Sequence, residues 1–287
     1  MKEMEAFALI VVVRDQPDYL NRILDGVLKS DLRPDEMIIV NVGSDLILKR
    51  SIGLNIKVLN QLSGSEKRVS TATARNFGAE RSTCEHLVFM NNDCIPSKSF
   101  FRQLVFDNLK NDGLTIGNPR YLLWPLQGGH DDQQLFDSSV PHPYRPIVEE
   151  TVGTHDHNLF AGLCFSINKG LFFEFGGFSE AYLNHRVGDV DFAFRLRKNL
   201  YPLTMSSATV YHQRHDIYSP PLDNFLEIVK DSRVFYRKYS KWPIQRTLNR
   251  FVELQLIKWA PYETAIDILS PTRHRQAGRL YRSSASI

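Results

Sequence analysis

The sequence predicts an α/β protein: a mostly parallel central sheet flanked by helices, with a C-terminal helical appendage. Three observations predict it. Through the first half, short apolar runs alternate with stretches of helical periodicity, the pattern of parallel strands joined by crossover helices. Two of the runs end in polar clusters, "NVGSD" and "NNDC", at the place where an open parallel sheet binds its ligands. After Leu222 the periodicity turns helical.

The elements follow in order. Phe7–Val13, "FALIVVV", is a β-branched run suited to a strand buried on both faces. Pro17–Lys29 reads as a helix. Leu20, Ile23, Leu24, Val27 and Leu28 share one face, and Pro17 suits the first turn. Strands are expected over 37–40, 56–59 and 87–90, and helices over 71–80 and 97–109, the latter with Phe101, Leu104, Val105 and Asn108 on related faces. Residues 125–157 are rich in Pro, Gly, His and Asp without periodicity and read as a long loop. A strand over 163–167, a helix over 169–175, a Gly176-Gly177 turn and a helix over 190–199 come next. Three helical stretches close the chain: "LDNFLEIVKDSRVFYRKY", "IQRTLNRFVELQLIKW" and "YETAIDILS". The final "RHRQAGRLYRSSASI" is expected to fray, and there is no internal repeat.

Composition narrows the function. The chain has 287 residues, 43% of them hydrophobic, enough for a substantial core. With 35 Lys and Arg against 32 Asp and Glu, the formal charge is +3, too balanced for a nucleic-acid partner. The basic excess gathers after Ser232. Cys84, Cys94 and Cys164 lack metal-ligand spacing and read as reduced thiols of a cytoplasmic protein. The apolar run from Ala6 to Val13 is too short for a signal or a membrane span.

Asn91, Asn92 and Asp93 are a poor end to a core strand but a good way to hold a metal or a ribose. Solvated turns with this composition are the plain alternative, since Asn, Asp and Gly are common at strand ends.

Taken together, these stretches resemble family 2 glycosyltransferases of the Rossmann-like A-type nucleotide-diphosphosugar fold, from roughly Phe7 to His215. "FALIVVVRDQPDYLNRILDGVLKS" with "PDEMIIVNVGSD" resembles the family's opening strand, helix and strand. Asn41 and Val42 stand where the family usually carries a pair of acids. "ATARNFGAE" resembles its Arg-Asn-x-Gly element. "FMNNDC" resembles its Asp-x-Asp element, with Asn91 in the first place and Asp93 kept in the last. "AGLCFSINKGLFFEFGGFSEAY" with "VGDVDFAFRLRK" resembles a galactosyltransferase-like Gly-Gly-Phe turn and Glu-Asp helix, with Gly188 in the Glu place and Asp189 in the Asp place. "VYHQRH" resembles the strand and His that close the metal site.

The resemblance implies a metal-dependent inverting glycosyltransferase that moves a sugar from a nucleotide-diphosphosugar, a UDP-sugar first, to a glycan or glycoconjugate. It implies a catalytic domain over 1–220, with a nucleotide-sugar-binding half (1–118) and an acceptor half (119–220), and an appendage over 221–287. Asp93 would hold Mn2+ or Mg2+ with His212 as second ligand, His215 being a competitor. An imidazole shifts preference toward Mn2+. Asn91 and Asn92 would serve the ribose or the ion's water shell, and Asn41, Ser44 and Asp45 the base pocket. Arg75 would lie beside the nucleotide or form a structural salt bridge. Asp189 would be the general base, placed just before a helix N-terminus, while Asp191 has the spacing to pair with Arg195. His155 and His157 in "THDHN" make a second cluster with metal-like chemistry, read as part of a flexible acceptor loop in preference to a ligand role. The tail helix, striped by Leu248, Phe251, Val252, Leu254, Gln255 and Ile257, docks on the domain or lies peripherally on the inner face of a membrane. Two other classes stay open. Asn41, Asn91 and Gly188 point to a degenerate, non-catalytic nucleotide-sugar-binding module. A nucleotidyltransferase would need a Gly-rich loop after the first strand, and "VVVRDQPD" has no glycine.

Overall fold

A computed structural model describes residues 5–14, 17–43, 46, 48, 53–61, 69–126, 128–143, 145–214 and 220–269. The elements of the first half are β1 (Phe7–Val13), α1 (Pro17–Lys29), β2 (Glu36–Asn41), β3 (Ile56–Asn60), α2 (Thr71–Arg81), β4 (His86–Asn91), β5 (Cys94–Pro96) and α3 (Phe100–Asn111). The second half adds β6 (Leu114–Leu122), α4 (Asp132–Asp137), β7 (Ser139–Pro141), β8 (Val152–Thr154), β9 (Cys164–Asn168), α5 (Lys169–Glu174), α6 (His185–Lys198) and β10 (Leu203–His212). The chain continues into α7 (Phe225–Tyr239), α8 (Gln245–Glu253), β11 (Ile257–Lys258) and β12 (Asp267–Ile268).

Ten strands form one sheet with the path β3-β2-β1-β4-β9-β6-β10-β5; β7 adds to β6 and β8 to β10. β1 lies parallel to β2 and β4, β2 to β3, and β6 to β10. β9 runs antiparallel between β4 and β6. The long strands β1, β2, β3, β4, β6 and β10 therefore point the same way, and their carboxyl ends share one edge.

The pleat of β1 explains the layers. Successive side chains face opposite sides of a sheet. Phe7, Leu9, Val11 and Val13 join a core with Leu20, Ile23 and Leu24 of α1 and Phe101 and Leu104 of α3. Ala8 and Ile10 join the other core, with Ala74 of α2, Phe172 of α5 and Phe192 of α6. That second core is rich in aromatics: Phe89 stacks on Phe165 at 4.7 Å and Phe178 on Phe192 at 4.6 Å. Each such side chain stabilises the fold by about 1.5–3 kcal/mol through burial alone. The cluster fixes α6 against the sheet.

Four expectations need correction. The helix expected over 190–199 begins at His185, with Asn184 as N-cap accepting from the Arg186 N–H. The helix continues through Gly188, whose low helix propensity masks it in the sequence. Asp189 thus lies inside the helix instead of before it. The stretch "YETAIDILS" is not helical in its described part: Asp267–Ile268 pairs antiparallel with Ile257–Lys258. The helix expected to run to Trp259 stops at Glu253, where Gln255 takes a left-handed φ of 53° and turns the chain into β11. The expected loop over 125–157 carries α4 and two short strands; α4 is closed by a capping box between Asp131 and Gln134.

The tail packs. Phe225, Trp242, Leu248, Phe251, Ile257 and Trp259 form their own buried cluster, so the apolar stripe faces protein. Val187 of α6 and Phe235 of α7 share a further cluster with Tyr182. Among the described residues no helix is long and apolar enough to cross a membrane. Residues 273–287, expected to fray, lie outside the described residues.

Candidate active site

The carboxyl ends of β1, β4, β6 and β10 open onto a cleft of about 1150 Å³. Val12, Asn91, Tyr121 and His212 line it from those strands, and His185, Arg186 and Asp189 line it from α6. α7 and α8 supply further wall through Asn224, Glu227, Lys230, Ile244 and Thr247.

Asp93 and His212 are joined by strand pairing. Asn92 and Asp93 turn the chain out of β4 into β5, which pairs antiparallel with β10 and sets Cys94 opposite His212. The Gln213 N–H donates to the Asp93 carbonyl at 2.7 Å, locking the junction. Asp93 Oδ2 then lies 3.3 Å from His212 Nε2. Octahedral ligands at about 2.1 Å from a Mg2+-sized ion stand roughly 3 Å apart when adjacent, so this carboxylate and imidazole fit two neighbouring positions on one ion. Among the described residues no group of three or more His, Cys, Asp or Glu could hold a metal; the remaining positions would fall to phosphate and water. The imidazole is braced by the Tyr121 ring, 4.7 Å away and tilted 30°. His142 meets the same ring edge-on, with centroids 5.4 Å apart. Burial, then the nearby charges of Arg145 and His212, push the His142 pKa down to about 4.

The acceptor-side acid is held differently. Asp189 Oδ1 accepts from Arg75 Nη1 at 2.9 Å, and Oδ2 accepts from the Gly162 N–H at 2.9 Å. Arg75 Nη2 donates to Asn91 Oδ1 at 3.0 Å and to the Gly162 carbonyl. Its guanidinium also faces the Phe178 ring at 4.9 Å. Arg75 therefore forms the structural bridge, with a helical acid as partner. A Cβ on Gly162 would fall 2.6 Å from Arg75 Nη1 and 2.8 Å from Asp189 Oδ1, so a side chain there would force this ion pair to shift.

The rest of "ARNFG" has equally specific work. Asn76 donates to the Phe178 carbonyl and accepts from the Phe178 N–H, both at 2.8 Å, clamping the Gly-Gly-Phe turn. Gly177 holds a φ of 62° there. Gly78 lets α2 approach the sheet, since a Cβ would meet Ile10 at 2.8 Å.

Asp191 is fully buried and accepts from Arg195 Nε at 2.9 Å, Tyr182 at 3.1 Å, and Lys238 and Tyr239 at 2.9 Å each. It ties α6 to α7. Asn41 is buried at the end of β2, donates to Asn60 at 2.9 Å, and is absent from the cleft lining. Ser44, Asp45 and His215 lie outside the described residues. Asn92 lines the cleft beside Asp93. His157 is buried, its ring nitrogens facing the carbonyls of His155 and Tyr201, and neither His155 nor His157 lines the cleft.

The sequence offered no periodic signal for Tyr121, His142, Gly162, Arg186 or the α7 wall.

The sequence pattern of the family described as "Glycosyl transferase family 2" matches residues 8–172, more than half of the chain. The chain belongs to glycosyl transferase family 2. Among solved structures, this family 2 chain resembles GalNAc-T7, crystallised with UDP, GalNAc and Mn2+. The TM-score is 0.59 at 18% identity, covering 82% of this chain and 50% of that one. S. aureus TarS (1–349) in complex with UDP-GlcNAc matches with a TM-score of 0.57 at 16% identity, covering 79% and 65%. The same TarS segment crystallised alone gives 0.54 at 15%, covering 79% and 64%. At these identities the likeness is one of fold. The family 2 chain spans half to two thirds of the length of these structures. No curated protein matches it.

Proposed function

We propose that this family 2 glycosyltransferase moves a sugar, with inversion, from a nucleotide-diphosphosugar to a hydroxyl of a glycan or glycoconjugate, with a UDP-sugar as the first donor to test. One observation carries the proposal: the Asp93–His212 pair and Asp189 line a single cleft at the carboxyl ends of the parallel strands. Asp93 and His212 would hold Mn2+ or Mg2+, which supplies Lewis-acid neutralisation of the charge that develops on the diphosphate. Asn91 and Asn92, at the same strand end, offer amide donors and acceptors to a ribose. UDP in the GalNAc-T7 structure and UDP-GlcNAc in the TarS structure make uridine donors the first to try.

Asp189 would take the proton of the acceptor hydroxyl as its oxygen attacks the anomeric carbon. A carboxylate has about four lone-pair sites, so the bonds from Arg75 and Gly162 leave each oxygen a site for that proton. They also hold the group in one orientation. A base on the face opposite the leaving group gives inversion. The acceptor would lie between α6 and the wall formed by Asn224, Glu227 and Ile244.

The degenerate, non-catalytic binding module is favoured by one observation: both Asp189 oxygens are already bonded within the protein. A calorimetric panel of UDP-, GDP-, CDP- and dTDP-sugars with and without Mn2+, followed by product analysis with glycan acceptors, separates the readings. Mn2+-dependent donor binding with an inverted product is the expected result. Tight donor binding without turnover on any acceptor would favour the module. Binding of no donor would remove both.

A further inference from the structure

Arg186 is the second residue of α6 and lines the cleft together with Asp93, Tyr121, His185, Asp189 and His212. It is an exposed residue, and its guanidinium makes no hydrogen bond or ion pair among the described residues; its backbone is held in the helix, the N–H donating to Asn184 Oδ1. This contrasts with the other arginine bordering Asp189. Arg75 is 95% shielded, and three of its five donors are taken by Asp189, Asn91 and the Gly162 carbonyl, so it is held as part of the protein's own bridge.

The surroundings of Arg186 say what it would meet. Within electrostatic reach of the Tyr121 ring are Arg145, Arg186 and one carboxylate, Asp93. His142 and His212 pack on the same ring. Asn91 and Asn92 beside Asp93 are neutral. This end of the cleft therefore gathers cationic and imidazole groups around Asp93, and Arg186 also feels the Asp189 carboxylate three residues along α6, which is already bonded to Arg75 and Gly162. Arg145 is turned away, donating to the carbonyls of Gly117 and Ala161. Among the described residues, Arg186 is left with unused guanidinium donors in the cleft that the Asp93–His212 pair and Asp189 also line. A guanidinium fork suits two oxygens of one phosphate.

We infer that Arg186 binds the diphosphate of the donor, holding the phosphate nearest the sugar and stabilising it as it leaves. The inference rests on the proposed glycosyl transfer. In that step the bond from the anomeric carbon to the phosphate oxygen breaks, its electron pair stays on that oxygen, and the acceptor's proton goes to Asp189. Arg186 would donate hydrogen bonds to the phosphate oxygens as they gain charge. It lies beyond residue 172, outside the family match, so it would be a feature of this chain's own acceptor half.

The test compares UDP, UMP and inorganic pyrophosphate by calorimetry, each without metal and with Mn2+, on wild type, Arg186→Gln, Arg186→Lys and Lys198→Gln. Lys198 lies at the opposite end of α6 and is exposed, so its variant makes the same charge change away from the cleft. UDP affinity should fall about tenfold or more in Arg186→Gln, UMP affinity should hold, and pyrophosphate should stop competing with UDP. Arg186→Lys should recover part of the loss, and Lys198→Gln should match wild type. Because the side chain is unbonded, an unchanged Tm is expected in both Arg186 variants. An unchanged UDP-to-UMP preference in Arg186→Gln, or an equal loss in Lys198→Gln, would overturn the inference while leaving the proposed function standing. If wild type binds none of UDP, GDP, CDP and dTDP, the proposed function fails and the inference with it.

Discussion

Arg75 joins the two sides of the cleft through one guanidinium: Asn91 at the end of β4 and Asp189 on α6. Residue identity at such points was legible in the sequence; partnership was not, because a long side chain reaches several neighbours that only the fold brings near. Asp93 and His212, far apart in sequence, could be paired from the family pattern, and strand pairing sets them 3.3 Å apart. Two acids in one helix illustrate the difference in kind. Asp191 has no exposure and four donors, two of them cationic. Breaking a buried pair of this sort costs about 3–5 kcal/mol. Asp191→Asn should therefore lower Tm markedly, while a folded fraction keeps its donor affinity. Asp189→Asn also leaves Arg75 without its carboxylate, so some stability should be lost there too. The separating readout is rate: transfer should fall about 10²–10⁴-fold if Asp189 is the base, with donor affinity near wild type. Steady-state kinetics with Asp191→Asn inactive but stable, and Asp189→Asn near normal, would move the base two residues along. Asp93→Ala should keep the fold, because its side chain lines the cleft and is not part of the apolar core. It should also lose the Mn2+-dependent part of nucleotide binding. Titrations that show the same Mn2+ effect in that variant would place the ion elsewhere.

At the scale of elements, strands and most helices were legible because burial and periodicity act locally. The β1, β2 and β4 cores appear as continuous apolar runs, and α1 as a clear amphipathic stripe. The failures have specific causes. α6 is buried on several sides, with Val187, Gly188, Asp189, Asp191 and Phe192 all covered, so it shows no one-sided stripe, and Gly188 interrupts what remains. "AIDILS" carries helical residues, but it is short, and pairing between β11 and β12 overrides a weak propensity. The glycine in α6 allows a direct check. A Cβ at position 188 would meet only Tyr182 Cβ, at an ordinary 3.8 Å. Packing therefore does not demand glycine, and Gly188→Ala should stabilise the helix by about 0.8–1 kcal/mol, raising Tm by roughly 2–4 °C. A lower Tm by calorimetric scan would mean that the helix tolerates no side chain there. Gly162 is the opposite case. Gly162→Ala should push Arg75 and Asp189 apart and lower both stability and transfer.

For the whole molecule, the α/β class and the shared edge of strand carboxyl ends were legible from the order of elements, since parallel strands with crossover helices put those ends together. The antiparallel insertion of β9 and the route of β4 into β5 were not, because pairing partners come from contacts distant in sequence. The same limit applies to the boundary near residue 220. Composition separates a helical appendage there, and 221–269 does carry its own core around Trp242 and Phe251. Yet α7 also supplies Lys238 and Tyr239 to Asp191, Asp231 to the Asn184 N–H at 2.6 Å, and Phe235 to the cluster with Val187. These contacts hold the N-terminus and middle of α6, the helix that carries Arg186 and Asp189. Removing the appendage would expose that cluster and leave the buried Asp191 with only Arg195 and Tyr182. A chain ending at Pro220 should therefore lose several kcal/mol at α6. Hydrogen exchange should show protection falling first along 185–198 while β1 and β4 stay protected. Asp93 and His212 rest on strand pairing, so metal-dependent UDP binding should weaken less than transfer. If the shortened chain keeps native protection across α6 and full transfer activity, the appendage is an independent module and the boundary near residue 220 divides two separable units.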